Sequence, residues 1–217
     1  MKIQHAAIIP LIILGVVLST LHQSSLGSLF LIFPDKVHPL WYTPLIPLFF
    51  YISCIAIGLA MVIFESFLSS RAFGKQLEYD LLDRLARILA VILAVLFLFK
   101  MEDLIRHGAF MAMFEGSYES WLFNAEMFLG VLLPSVLLFI PKIRHNPNGM
   151  FTAASFAVFG FMLGRMNMAV TSMETANKGI YFPAWTEWMV SLFLVAVGFT
   201  AFAVAVKYLP IFQKETS

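Results

Sequence analysis

The chain has 217 residues, of which 60% are hydrophobic and 12% are charged, and its mean hydropathy is +0.87. Soluble domains are about 45–50% apolar and about 25% charged, so this composition excludes a soluble globular protein and indicates an integral membrane protein. The net charge of +1 provides no electrostatic attraction to nucleic acid, and a single cysteine excludes an internal disulfide.

Six apolar segments are long enough to cross a bilayer, which takes roughly 20 residues of helix. Their approximate bounds are Ile3–Leu21, Leu45–Phe67, Leu81–Met101, Ser120–Ile140, Met150–Val170 and Trp185–Leu209. We therefore predict an all-α integral membrane protein in which about six transmembrane helices form one helical bundle. Residues 1–217 are predicted to form a single transmembrane domain.

Lysine and arginine are distributed unevenly between the two ends of these helices. One side holds Lys2, Arg71, Lys75, Arg84, Arg87, Lys142, Arg144, Lys207 and Lys214, and the other holds Lys36, Lys100, Arg106 and Lys178. Because cytoplasmic loops carry the excess of positive residues, we expect a multi-pass protein of the cell inner membrane with both termini in the cytoplasm.

The polar stretch LSTLHQSSLGSLF, residues 18–30, interrupts the first apolar segment. The first helix either ends near Leu21 or continues, with a kink, through GSLFLIF, residues 27–33. We expect His22 at the outer end of this helix, where an imidazole could handle protons near neutral pH. Gln23, Ser24 and Ser25 form a polar motif with it. These groups either satisfy free backbone groups at a helix end or kink, or line a polar pocket, and the sequence leaves both interpretations open.

Two charged residues lie inside later predicted helices. Glu126 is about six residues into the fourth helix, and Arg165 is at a similar depth in the fifth. Charges inside a bilayer are costly and usually face a bundle interior or a cavity. Neighbouring antiparallel helices could pair the two, either as a structural ion pair or as a proton-relay or ligand-anchoring pair. Asn167 adds an amide close to Arg165.

Two further acids lie at outer helix ends, Glu102 on the third helix and Glu187 on the sixth, where solvated helix ends explain them equally well. Together with His22, Glu126 and Arg165, they predict one polar cluster close to the outer surface. Such a cluster would serve a redox-active lipid that exchanges protons and electrons.

Aromatic residues concentrate near the same outer interface, where they commonly act as membrane anchors. They are Trp41, Tyr42, Tyr118, Trp121, Tyr181, Trp185 and Trp188. This distribution also suits a docked external partner, and we take Trp185 and Glu187 as candidate partner-facing residues.

Cofactor sites are predicted by elimination. A membrane b-type haem usually needs axial histidines on spanning helices, and only His22 could reach membrane depth, so we predict no haem. One cysteine is too few for an iron–sulfur cluster. Neither a metal-binding spacing nor a catalytic residue is predicted. Gly160 and Gly164 form a small-xxx-small pair that indicates close helix packing.

Five motifs resemble sequences of the NrfD/PsrC family of membrane subunits, and within it the HybB-type subunits of NiFe hydrogenases. They are LHQSSLGSLF, DKVHPLW, MVIFES, GRMN and IYFPAWTEWMVSLFLVAVG. The resemblance extends over nearly the whole chain. By position, His22, Glu102, Glu126, Arg165 and Glu187 match polar positions in HybB-like sequences.

This resemblance implies an all-helical, quinone-interacting anchor without haem. It also implies two partners, a periplasmic ferredoxin-like iron–sulfur subunit and a catalytic subunit such as a NiFe hydrogenase, embedded in membrane lipid. Electrons would pass between the last cluster of the partner and the quinone pool, menaquinone or ubiquinone, with proton movement in some members of the family.

The match covers only the later part of HybB-like sequences, so we expect the N-terminal four-helix bundle of the family to be absent from this chain. That bundle contributes much of the quinone pocket in the family, and the helix of His22 would form the junction with it. Three functions remain open: a quinone-linked redox anchor, a purely structural anchor or truncated product without its own site, and a proton-conducting or transport protein.

Overall fold

The computed structural model describes residues 2–74, 76–173 and 184–208, without the side chains of residues 2–7, 73 and 205–208. The chain divides into two compact units, Met1–Gly179 and Ile180–Ser217. The Tyr-Phe-Pro part of the YFPAW motif and several residues used for the orientation, among them Lys75, Lys178 and Lys214, lie outside the described residues. The orientation, like the prediction of a single domain, stays a prediction.

The described residues are mostly helical and contain no strand. The first unit contains α1 (Lys2–Leu29), α2 (Ile46–Phe73), α3 (Tyr79–Arg106), α4 (Tyr118–Ala125), a π-helical segment (Glu126–Leu132), α5 (Leu133–Phe139), α6 (Pro141–Arg144), α7 (Pro147–Met166) and a second π-helical segment (Asn167–Thr171). Short 3-10 turns lie at Phe30–Ile32, Pro34–Lys36 and Phe110–Phe114. The second unit contains α8 (Trp185–Tyr208).

Local sequence explains several of these boundaries. The Ser117 hydroxyl accepts a hydrogen bond from the Ser120 N–H at the start of α4, and the Asn146 side chain accepts one from Asn148 N–H before α7. Such caps satisfy free N–H groups at a helix start. Gly74 ends α2 with φ 65°, a left-handed conformation that glycine adopts without a steric penalty.

The prediction of an all-α membrane protein is confirmed, with one difference in the number of spans. Among the described residues, five helical stretches are long and apolar enough to cross a membrane: Ile8–Ile32, Ile46–Ala72, Tyr118–Phe139, Pro147–Thr171 and Trp185–Val204. The third predicted span forms as α3, a helix of 28 residues, but charged side chains near both of its ends leave it outside this set.

The first helix continues beyond Leu21. We expected an end near Leu21 or a kinked continuation through residues 27–33, and α1 continues to Leu29. Its hydroxyl groups bond backward within the helix, from Thr20 to the Val16 carbonyl at 2.9 Å and from Ser28 to the Ser24 carbonyl at 3.2 Å. Serine and threonine can therefore lie inside this helix without breaking it.

Within the first unit, α2 packs against α1, α3 and α7, and α5 packs against α3 and α7. Small residues allow the closest approach, since a Cβ added at Gly130 would lie 2.7 Å from the Cα of Gly160. The small-residue pattern predicted on the fifth helix thus corresponds to close helix packing. This arrangement places polar residues of α2, α3, the first π-helical segment and α7 around one cavity.

Candidate functional site

Glu126 provides the carboxylate of the candidate site, and two side chains donate hydrogen bonds to it. The indole Nε1 of Trp41 donates to Oε2 at 3.1 Å, and Nδ2 of Asn167 donates to the same oxygen at 3.2 Å. Trp41 and Asn167 are only 3% and 2% exposed. A carboxylate removed from water needs such donors, because an unpaired buried charge is strongly destabilising.

Glu126 and Asn167 each occupy the first position of a π-helical segment. Pro134 explains the first segment, since proline lacks an N–H and its ring disfavours regular helix around the preceding turn. The Leu133 N–H accordingly donates to the carbonyl of Phe128, five residues earlier. Segments of this kind recur at functional sites because they redirect side chains, and here both lie at the Glu126–Asn167 contact.

Gly164 provides the space that the Glu126 side chain occupies. A Cβ added at Gly164 would lie 2.7 Å from Oε1 and 2.8 Å from Cδ of Glu126. Real side chains essentially never make contacts this short. The glycine that the sequence assigned to helix packing therefore also shapes the candidate site.

Arg165 lies at the same cavity as Glu126, but its direct contacts are with α2. Its Nη2 donates to the Ser53 hydroxyl at 2.6 Å, and its guanidinium lies 3.6 Å from the centre of the Phe50 ring. Among the described residues, no ion pair joins Arg165 to Glu126. Of the two arrangements left open by the sequence, the structural ion pair does not form among the described residues, and a hydrogen bond and a cation–π contact hold the guanidinium against α2.

Lys100 is a third ionisable residue at this cavity, and the sequence analysis did not identify it. Its Nζ lies 4.8 Å from the Phe49 ring centre and 6.0 Å from that of Phe123. We had placed Lys100 among the loop residues at the outer end of the third helix. Because α3 continues to Arg106, Lys100 lies six residues inside the helix, about 9 Å from its end. Its position directly after the apolar run FLF was the available signal.

These groups surround a cavity of about 70 Å³. Its polar lining comes from Trp41, Ser53, Lys100, Glu126 and Arg165, and its apolar lining from Ile46, Phe49, Phe50, Leu96, Met127, Val131, Gly160, Phe161, Gly164 and Met168. A mostly apolar cavity with a few convergent polar groups is typical of a ligand site. Its volume also leaves room for a few water molecules.

The C-terminal end of α3 carries a second group of polar contacts. Asp103 is 5% exposed, accepts a hydrogen bond from the Thr43 hydroxyl at 2.8 Å, and lies 3.1 Å from Nδ1 of His107. Glu102, in contrast, is exposed and pairs with Arg106 at 2.5 Å on the surface of the helix. The structure thus places Asp103 toward the bundle and Glu102 away from it.

The expectation of one polar cluster needs correction for His22, which the structure does not bring to the cavity. His22 and Ser25 are exposed on α1 and have no hydrogen-bond partner among the described residues. Gln23 is partly buried, and the Ser24 hydroxyl donates to the Pro47 carbonyl at 3.2 Å. Because α1 does not end at Leu21, the motif lies within the membrane span, with His22 and Ser25 facing outward from the unit and Ser24 contacting the start of α2.

Glu102 also lies outside the cavity lining. Glu187 is in the first turn of α8, which belongs to the second unit, and Trp185 in the same turn is 72% exposed. The predicted partner-facing role of Trp185 and Glu187 stays a prediction.

The described histidines differ in their position relative to the membrane spans, which decides whether they could ligate a haem. One of them, His22, lies within a membrane-spanning stretch, whereas His38, His107 and His145 lie between spans. A haem held by two axial histidines would need a second ligand from elsewhere. Over the ranges described, no group of three or more His, Cys, Asp or Glu could hold a metal ion. The predictions of no haem and no metal site stay predictions.

The sequence model of the family described as "Polysulphide reductase, NrfD" matches residues 1–177. The chain is 33% identical to the "Probable Ni/Fe-hydrogenase 2 b-type cytochrome subunit" of Escherichia coli, over 93% of the chain and 52% of that relative. It is 27% identical to the "Menaquinone reductase, integral membrane subunit" of Nitratidesulfovibrio vulgaris, over 93% of the chain and 53% of that relative.

The chain therefore spans about half the length of these curated relatives. The name of the first relative describes it as a b-type cytochrome subunit, which bears on the prediction of no haem. No solved structure matches the chain significantly.

Proposed function

Because the chain belongs to the NrfD family, we propose that it acts as a membrane subunit of a respiratory oxidoreductase and interacts with quinone. The observation that carries this proposal is the cavity in the first unit, where Lys100, Glu126 and Arg165 meet inside a bundle of apolar helices. Ionisable groups at membrane depth are a functional-site hypothesis by default. The names of two relatives, a hydrogenase subunit and a menaquinone reductase subunit, support the same class.

The residues around the cavity have the chemistry that quinone exchange requires. Reduction of a quinone to a quinol consumes two electrons and two protons. In the proposal, Lys100 and Arg165 orient the carbonyl oxygens by donating hydrogen bonds, and Phe49 and Phe50 contact the ring. Glu126 holds or moves a proton in a site that largely excludes bulk water.

We propose that the electrons are exchanged with partner subunits. Following the resemblance, these are a periplasmic ferredoxin-like iron–sulfur subunit and a catalytic subunit such as a NiFe hydrogenase. In this proposal, the partner docks on the loops at the predicted outer ends of α3 and α4. These two helices lead to Lys100 and Glu126 of the cavity. The quinone, the direction of electron flow and the partner enzyme are not specified by the residues of the cavity.

The outward face of α1 supports a second part of the proposal, namely that a further helical bundle packs there. His22 is ten residues before the end of the span at Ile32, which places it about 15 Å deep. A polar group in hydrocarbon without a hydrogen-bond partner costs several kcal/mol. Lipid chains offer no such partner, whereas a polar protein surface does.

A test of the proposed function uses the chain in its native membrane complex, with Arg165→Ala and Glu126→Gln variants. We expect each to lower quinone reduction at least tenfold while the partner subunits still reduce a soluble dye at the normal rate. Glu102→Gln, which changes an exposed carboxylate on α3, is the matched control and should leave both rates unchanged.

The alternative of a structural anchor is favoured by one observation, the position of His22 outside the cavity. If Arg165→Ala and Glu126→Gln retained normal quinone reduction and the complex remained assembled, the structural anchor would be the better account. The same result would remove the proposal of a quinone site in this chain.

A further inference from the structure

Three polar residues on α3 form a row from the end of the helix to the cavity. Lys100, Asp103 and His107 are separated by three and four residues, so they lie on one face of the helix. His107 is 42% exposed at the surface, whereas Asp103 beside it is 5% exposed. The row therefore connects water at one end of α3 with a buried carboxylate.

The contact between His107 and Asp103 is direct. Nδ1 of His107 lies 3.1 Å from Oδ1 of Asp103 and 3.0 Å from its backbone oxygen. The Thr43 hydroxyl donates to the same Oδ1 at 2.8 Å. A proton can pass between hydrogen-bonded groups of this kind without a change in the positions of the heavy atoms.

Lys100 continues the row toward the cavity. It lies one helical turn below Asp103, and the charges of Asp103 and Glu126 both act on its ammonium group. No ion pair links Lys100 to either acid within the described chain. Lys100 and Glu126 nevertheless line the same cavity, whose 70 Å³ can hold a few waters that bridge them.

Several polar groups on the described neighbouring elements do not connect to the cavity. Glu102 and Arg106 pair with each other at the surface. The Asn124 amide donates to the Met113 carbonyl at 2.9 Å. Glu65 on α2 is exposed and does not line the cavity. Trp41 and Asn167 contact Glu126 from other elements, but an indole and an amide do not take up and release protons near neutral pH, whereas an imidazole and a carboxylate do.

We propose that His107, Asp103 and Lys100 form a proton route between that membrane surface and the cavity at Glu126. The inference rests on the proposed function, which requires protons at the cavity. Each passage moves one proton and no electron: a proton taken up by His107 is matched by one delivered through Lys100 and cavity water to Glu126. The route runs in the opposite direction when protons leave the cavity.

The experiment measures proton access to Glu126 directly, with the complex reconstituted in liposomes. The infrared band of the Glu126 carboxyl group is identified by its loss in Glu126→Gln, and its response to a pH jump is timed. We expect Asp103→Asn and Lys100→Met to slow this response at least tenfold. In Glu102→Gln, a change on the same turn as Asp103, the Glu126 band should respond to the pH jump at the wild-type rate.

A further variant separates proton transfer from structure. Thr43→Val removes one hydrogen bond to Asp103 but leaves its carboxylate, so the response should stay close to the wild-type rate. A small weak acid added to Asp103→Asn should restore part of the lost rate, because it replaces a proton carrier and repairs no structural damage. Equal response times in the wild type, Asp103→Asn and Lys100→Met would overturn the route.

Quinone reduction is measured on the same samples and tests the proposed function separately. If the wild-type complex fails to reduce quinone, the proposed function is wrong, and the infrared response still decides whether the route exists. If quinone reduction is normal and Asp103→Asn has no effect on either measurement, only the route is wrong.

Discussion

A few hydrogen bonds fix the position of the Glu126 side chain. The side chain is held by Trp41 and Asn167, from a loop and from the end of α7, so its position depends on three separate segments of the chain. Asn167 is held in turn, since its Nδ2 also lies 3.3 Å from the Leu122 carbonyl. The carboxylate is therefore fixed in position before any ligand binds, which is a general requirement of binding and catalytic sites.

His38 gives a pH-dependent prediction at the residue scale. It lies in the connection between α1 and α2, and its Nδ1 accepts a hydrogen bond from Leu40 N–H at 3.3 Å. Burial lowers the pKa of His38, while the charges of Glu119 and Glu115 oppose this shift. The folded state consequently binds fewer protons than the unfolded state below the usual histidine pKa of about 6.5.

The contribution of neutral His38 to folding stability should therefore be complete above about pH 6.5 and should decrease as the pH falls below that value. Protonation would also remove the acceptor for Leu40 N–H. The measurement is the midpoint of thermal unfolding in detergent across this pH range. His38→Asn keeps an acceptor but does not titrate, so its midpoint should decrease less on acidification. Parallel curves for the two proteins would contradict this prediction.

Gly164 gives a second prediction, because the space that it leaves is occupied by Glu126. In Gly164→Ala, the methyl group would displace the carboxylate from Trp41 and Asn167. Because Glu126 would lose the two hydrogen bonds that orient it, quinone reduction should fall about tenfold, and overpacking should separately lower the folding stability by about 1–3 kcal/mol. Gly58→Ala is the matched control, since a Cβ added there meets nothing within 4 Å. Equal rates in the two variants would show that the Glu126 position is unimportant.

At the scale of helices, the sequence predicted most spans well and the depth of polar residues poorly. Apolar length identified α7 and α8 to within a few residues, because membrane helices are defined by the bilayer thickness, whereas α2 continues six residues beyond its predicted end at Phe67. The end of α1 was left open, because a run of histidine, glutamine and serine could mark a boundary or a kink. Inside a helix, hydroxyl groups bond back to carbonyls of the preceding turn and need no interruption.

The same reasoning explains what was missed at the site. Glu126, Arg165 and Asn167 were identified because charged and amide groups are rare in apolar segments, and the structure brings all three together. Lys100 was not identified, because its depth depends on where α3 ends. The helix ends five residues later than predicted. The contacts of Arg165 with Ser53 and Phe50 depend on the rotation of α7 against α2, which apolar periodicity does not specify.

The outward face of α1 leads to a prediction about its surroundings. A photoreactive benzophenone amino acid at position Ser25 should crosslink to a transmembrane helical segment in the native complex, identified by mass spectrometry. The control is the same label at Val62 on α2, an exposed apolar side chain, where lipid adducts are expected. Lipid adducts alone at Ser25 would show that no polar protein surface covers this face.

At the scale of the whole molecule, the proposed function depends on two features, the apolar helices and the cavity. The helices fix the chain in the membrane, and the cavity places Lys100, Glu126 and Arg165 where bulk water is scarce. Membership of the NrfD family agrees with both features. The match of the chain to about half of its relatives' length is the reason that the activity of the whole complex remains a proposal.

The most direct test is to locate the quinone by photolabelling the native complex with an azidoquinone, with and without excess unlabelled quinone. The account predicts competed labelling on peptides that contain residues of the cavity, around Phe50, Lys100 and Arg165, and its loss in Arg165→Ala but not in Glu102→Gln. Competed labelling confined to other subunits, with none on these peptides, would contradict a quinone site in this chain.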